Sequence, residues 1–173
     1  AYDGDGAGTL TLTDAYIRGA DNSDGDSYGA ELPGNTTIVL NGDSTIASGT
    51  GSGDCVAVYC DYALTIEGTG SLSAVGGKSS EGDSKGLEAD GTLTINSGRV
   101  TGLGGTAYNS SYGIYAQTLI VSGSADVTGI AGTANGSGSN IKSCGVYCNS
   151  SASVEGGSLT AVGAYAKSGL SYG

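Results

Sequence analysis

The feature that most constrains this chain is that it repeats itself. Three stretches read alike when aligned: "GLEADGTLTINSGRVTGLGG" from Gly86, "GIYAQTLIVSGSADVTGIAG" from Gly113 and "GVYCNSSASVEGGSLTAVGA" from Gly145. Each opens on a small residue and two apolar positions two apart, then gives a β-rich triplet, a Gly-containing turn and a second short apolar triplet. Earlier copies begin at Gly29 ("GAELPGNTTIVLNGDSTIASG") and Ala57 ("AVYCDYALTIEGTGSLSAVGG"), and a partial copy, "GTLTLTDAYIRGA", begins at Gly8. Aligning Leu12, Leu40, Ile66, Ile95, Val121 and Val154 gives intervals of 28, 26, 29, 26 and 33 residues. Periods in this range belong to stacked repeat architectures.

The aligned columns identify the secondary structure. A first strand supplies Ala30, Val58, Leu87, Ile114, Val146 and Leu170, followed two residues on by Leu32, Cys60, Ala89, Ala116, Cys148 and Tyr172. A second supplies Leu10, Ile38, Leu64, Leu93, Leu119 and Ala152. A third supplies Ile17, Ile46, Leu72, Val100, Val127 and Leu159. Polar residues such as Thr11, Thr65, Thr94 and Ser153 fall between them, which is the period-two alternation of strands with one buried face. The pulses are too short for helices. The reading is an all-β, right-handed parallel β-helix (β-solenoid) of about six coils with three short strands each, spanning 1–173 as a single domain. The long, irregular coils favour the right-handed form. No evident cap closes either end.

Composition fits a slim core. Gly is 34 of 173 residues, Pro is 1, and Met, Trp, Phe and His are absent. Low Pro excludes collagen, and the recurring Val, Ile and Leu pulses argue against disorder. A net charge of −11 repels phosphate backbones, so nucleic acid is not an expected partner. No apolar run approaches the ~20 residues that span a bilayer. No signal peptide is visible and the first residue is not Met, so the chain reads as a mature or trimmed product.

The phrases "GLEADGTLTINSGRVTG", "YGIYAQTLIVSG" and "GVYCNSSASVEGGSLTAVG" resemble the Gly-rich repeats of bacterial cell-surface proteins. These include adhesin-like proteins and carbohydrate-binding right-handed β-helix domains related in fold to pectate lyases. The resemblance covers nearly the whole chain. It implies a secreted, extracellular or cell-surface protein, and it speaks to fold more than to activity.

Long loops follow each third strand. "ADNSDGDSYG" from Ala20 places Asp21, Asp24 and Asp26 close together, and Asp54 is expected to reach in from the next coil. Calcium takes six to eight oxygens, so the set is a candidate Ca site, with Asp3 and Asp5 a weaker second one. A solvated acidic loop is the plainer reading. Cys60 and Cys148 share a column but lie three coils, ~14 Å, apart, too far for a disulfide. Local pairs, Cys55 with Cys60 and Cys144 with Cys148, require the chain to fold back. The alternative is small buried thiols. Local disulfides would fit an extracellular setting.

Catalysis finds little support. Without His there is no Ser-His or Cys-His pair. Arg18 and Arg99, the basic candidates for a polysaccharide lyase, do not fall in Asp clusters by spacing. The expectation is no enzyme. Glu31, Tyr59, Glu88, Tyr115, Tyr147 and Ser171 form the outward column of the first strand, so Tyr115 and Tyr147 should stack. They are either a sugar platform or a structural pair. Thr101, Thr128 and Thr160 form an outward rank that Ala47 and Ser73 interrupt, which argues against ice binding.

The chain is cut out of phase with its own coil. It opens at a second strand (Leu10, Leu12) and ends on a first strand (Leu170, Tyr172). This fits a segment of a longer solenoid, or one subunit of a filament stacked head to tail through those residues. Two functions follow: an extracellular structural solenoid in a surface fibre or adhesin stalk, with itself as partner, or a glycan-binding β-helix module, assisted or not by Ca.

Overall fold

In the computed structural model, which describes residues 7–173, the chain is a parallel β-solenoid of about six coils. Third strands β2 (Tyr16–Arg18), β5 (Asp43–Ala47), β8 (Ser71–Val75), β10 (Arg99–Leu103), β12 (Asp126–Ile130) and β14 (Ser158–Val162) form a six-stranded sheet. First and second strands form the other sheet. In the early coils they are separate: β1 (Ala7–Thr13), β3 (Ser27–Leu32), β4 (Asn35–Asn41), β6 (Cys55–Cys60) and β7 (Leu64–Gly68). In the later coils they fuse into β9 (Ser84–Ile95), β11 (Ser111–Val121) and β13 (Lys142–Val154), and β15 (Leu170–Tyr172) ends the series. Every ladder is parallel, so each coil stacks its strands on the equivalent strands of the last.

The inward columns make the core. Leu12, Ile38, Leu40, Ile46, Leu64, Ile66, Leu72, Leu87, Leu93, Ile95, Ile114 and Leu119 are all essentially fully buried. At ~2 kcal/mol for each fully buried aliphatic side chain, they dominate the apolar stabilisation. A bulge at Ala116–Thr118 absorbs a residue that β11 lacks relative to its neighbours.

Two alignments made on the sequence need correction. Ile38 pairs with Ile66 rather than Leu64, and Leu64 pairs with Thr36. Ile46 likewise pairs with Ala74, and Leu72 with Ser44. The true step from Ile38 to Ile66 is 28 residues, the same as from Leu10 to Ile38. The aliphatic pair itself moves two residues along the strand between the second and third coils. Because the offset is even, every inward residue stays inward. Thr36 and Ser44 are buried in the vacated positions. The Thr36 hydroxyl donates to the Gly34 carbonyl (3.0 Å), and Ser44 Oγ accepts the Ala15 N–H (3.1 Å).

The last coil also shifts. Leu170 and Tyr172 pair with Lys142 and Cys144, not with Val146 and Cys148. Ser171 therefore joins a column of Ser27, Cys55, Ser84, Ser111 and Ser143.

That column carries a side-chain ladder. Ser84 Oγ donates to the Gly77 carbonyl in its own coil (2.7 Å) and accepts the Gly105 N–H of the next (2.8 Å). Ser27, Ser111 and Ser143 repeat the pattern, and Ser171 donates to the Ala164 carbonyl. Cys55 breaks it. Its thiol turns to the Lys78 carbonyl (3.3 Å), and Ser48 Oγ takes the Gly77 N–H instead (2.7 Å).

Candidate functional site

The residue before each of these serines forms a second ladder, and it absorbs two of the four proposed calcium ligands. Asp26 Oδ1 accepts the Asp54 N–H (2.7 Å), Asp54 Oδ1 the Asp83 N–H (2.8 Å), and Asp83 Oδ1 the Ser110 N–H (2.8 Å). Ser110 Oγ then accepts the Lys142 N–H (3.0 Å). Asp21 pairs with Arg18 (2.8 Å) and accepts the Thr50 N–H (2.8 Å). That backbone hydrogen bond, aided by Arg18, lowers its pKa. Asp24 is exposed, and its N–H bonds Asn22 Oδ1 (3.2 Å). Asp26 and Asp54 are thus neighbours, but no group of three or more His, Cys, Asp or Glu that could hold a metal ion occurs among the described residues, so the four are not assembled as one site. Asp3 and Asp5 lie outside them.

The sequence held a sign of these ladders: "DSYG", "DCVA", "DSKG", "SSYG" and "KSCG" open successive first strands. Reading the acids as loop charges hid that each sits one residue before an inward Ser or Cys.

The expected disulfides do not form. Cys55 and Cys60 are the first and last residues of β6, five apart, and Cys144 and Cys148 lie four apart on β13. Residues four apart on a strand are ~13 Å apart, so neither pair can close. All four are free thiols, and burial pushes the Cys55 thiol up to about 11.

The most unusual chemistry lies on the outward face of the first strands. Two columns three residues apart run there: Tyr28, Val56, Lys85, Tyr112, Cys144 and Tyr172, beside Glu31, Tyr59, Glu88, Tyr115 and Tyr147. Tyr115 and Tyr147 stack with ring centres 5.6 Å apart and planes 21° apart. Tyr112 meets both rings at an angle, and Tyr28 stacks on Tyr59 at 5.3 Å. Lys142 sits 4.0 Å above the Tyr147 ring, and its ammonium donates to the Tyr147 hydroxyl (2.9 Å).

At the centre is Lys85, only 5% exposed although it faces out of the coil. Its Nζ lies 2.8 Å from Glu88 Oε1, 3.0 Å from Asp54 Oδ2 and 3.8 Å from Asp83 Oδ2, with the Tyr115 ring 5.3 Å away. Burial pulls the ammonium pKa down, but the Glu88 and Asp54 charges outweigh it and hold it above its ordinary value. Glu88, 7% exposed, is pushed by burial up to about 7 against the pull of Lys85. Burial also raises the Asp83 pKa. Three carboxylates therefore share one cation, and burial raises the proton affinity of the most buried of them, Glu88.

Both arginines find acids that spacing did not reveal. Arg18 meets Asp21, and Arg99 Nε lies 3.3 Å from Asp126 Oδ2 in a groove of about 830 Å³ that Asp43 also lines. The outward hydroxyl rank is also more regular than expected. With the register corrected, Ala47 falls out of it, and Thr45, Ser73, Thr101, Thr128 and Thr160 follow in order.

Comparison with protein-family models, with curated proteins and with solved structures returns no match for this chain. Among the described residues, no helix is long and apolar enough to cross a membrane.

Proposed function

We propose that the chain is a structural β-solenoid, a rigid element of an extracellular surface fibre or stalk, whose polar groups serve coil-to-coil cohesion. The observation that carries this reading is the ladder from Asp26 through Asp54, Asp83 and Ser110 to Lys142, which commits acidic side chains to the backbone of the next coil. The serine ladder beside it does the same with hydroxyls. Such ties resist shear between coils. In the last coils Val154, Val162, Leu170 and Tyr172 are about half exposed. A following coil, of the same polypeptide or of a second copy, would cover them and extend the columns. Stacked copies would repeat every ~29 Å, six coils at ~4.8 Å.

Negative-stain microscopy across a concentration series tests this. Ligand-free rods or filaments support it, with Leu170→Asp shortening any end-to-end polymer. A second reading, glycan binding at Tyr115 and Tyr147, is favoured by their outward stack. Against it, that contact covers the ring faces between them, and Lys142 sits over Tyr147. Saturable glycan binding that Tyr147→Ala abolishes, in a chain that stays dispersed, would replace the structural reading.

A further inference from the structure

The Lys85 cluster is more elaborate than an ion pair needs to be. Asp54 presents its two oxygens to different partners: Oδ1 accepts the Asp83 N–H at 2.8 Å, and Oδ2 faces Lys85 Nζ at 3.0 Å. Glu88 Oε1 sits 2.8 Å from the same nitrogen. An amine, a carboxyl carbon, a proton-accepting carboxylate and an N–H donor on the carboxyl's other oxygen are thus assembled at one point. These are the parts of an acyl-transfer site. The nitrogen is dry, with a Lys85 side-chain exposure of 7%. Asp54 belongs to the loop entering one coil and Lys85 to the first strand of the next.

We propose that Lys85 and Asp54 condense to an isopeptide bond that staples adjacent coils covalently. The Nζ–Cγ bond forms and the Cγ–Oδ2 bond breaks. Two of the three ammonium protons leave Nζ through Glu88 and end on the departing oxygen, so one water is released. Glu88 returns to its starting state, and nothing is oxidised or reduced. The Asp83 N–H stabilises the charge that develops on Oδ1 in the tetrahedral intermediate. Because the carboxylates favour the ammonium form of Lys85, the reaction passes through a minor neutral amine. It is a slow, single maturation event in each molecule. The staple does not depend on what the solenoid carries or on whether copies stack.

Intact-mass spectrometry of the full chain, folded and aged at neutral pH, tests it. The expected result is a mass one water below the sequence sum, with a branched peptide joining the Asp54 and Lys85 segments after digestion. Lys85→Arg and Asp54→Ala should each retain the full mass. Glu88→Gln, with native circular dichroism, should retain it for far longer than the parent. A parent mass equal to the sequence sum, persisting on ageing, overturns the proposal and leaves an ion cluster only. So does a water loss that maps to an Asp-Gly bond as a succinimide, with no branched peptide.

Discussion

The first two coils and those that follow differ in where they put their aliphatic weight, although their ladders are continuous. In the first two, Leu10 and Leu12, then Ile38 and Leu40, fill the later inward positions of the second strand, and Gly8 and Thr36 take the earlier one. In the third coil Leu64 and Ile66 fill the earlier positions, and Gly68 stands where Leu40 stood. Gly68 adopts φ +116, and a Cβ there would press on the Leu40 carbonyl. The chain thus trades a Leu for a Gly at the turn and recovers the volume four residues earlier, at Leu64. Backbone ladders and face parity decide register. The position of the bulkiest residues does not.

The largest effect that probes this comparison is a charge in a shared column. Ile95→Asp buries a carboxylate among Ile66, Val121 and their neighbours and should cost several kcal/mol, comparable with a domain's whole stability. Thr94→Asp, one residue away and outward, should change denaturant melts by less than about 1 kcal/mol. Equal damage from both would break the face assignment.

Next in size is the serine ladder. Ser111→Ala removes the acceptor for the Gly132 N–H and the donor to the Gly105 carbonyl, at about 1–3 kcal/mol by chemical denaturation. Ser48→Ala should cost a similar amount only because Cys55 interrupts the column. Restoring the hydroxyl with Cys55→Ser should rescue part of that loss.

A smaller effect separates the outward cluster from the core. Burial raises the Glu88 pKa from 4.5 to about 7. The unfolded chain therefore gives up this proton first as pH rises. The stabilising contribution of Glu88 is complete below about 4.5 and declines until about 7. Melting temperature should fall across that window in the parent and vary less in Glu88→Gln. A parent that gains stability over that window through Glu88 would contradict the assigned direction.

Much of this architecture was legible because burial inside a coil demands apolar residues at every turn, and periodicity exposes such demands. Ile95, Ile114, Leu119 and Val127 could be placed from spacing alone. The two-residue offset was not legible, since aligning Leu40 with Ile66 satisfies hydropathy as well as the true pairing does. The outward cluster escaped for another reason. Its column runs Tyr28, Val56, Lys85, Tyr112, Cys144, so no residue type holds from one coil to the next, and nothing in the sequence marks Lys85 as buried. The Asp-Ser dipeptides did recur, but their value lies in hydrogen bonds to the next coil, which only the stacking reveals.

The register itself is the claim on which the core, the ladders and the Lys85 cluster all depend, and engineered crosslinking tests it most directly. Thr37 and Thr65 are partners across the second and third coils. Their Cα atoms should lie ~4.8 Å apart, within disulfide reach. Ala63, the partner that aligning Leu64 with Ile38 would give Thr37, lies two residues further along and out of reach. Mild oxidation of Thr37→Cys/Thr65→Cys should give a crosslink between those two positions by non-reducing peptide mapping, and Thr37→Cys/Ala63→Cys should give none. Ready closure of the second pair and failure of the first would contradict the account.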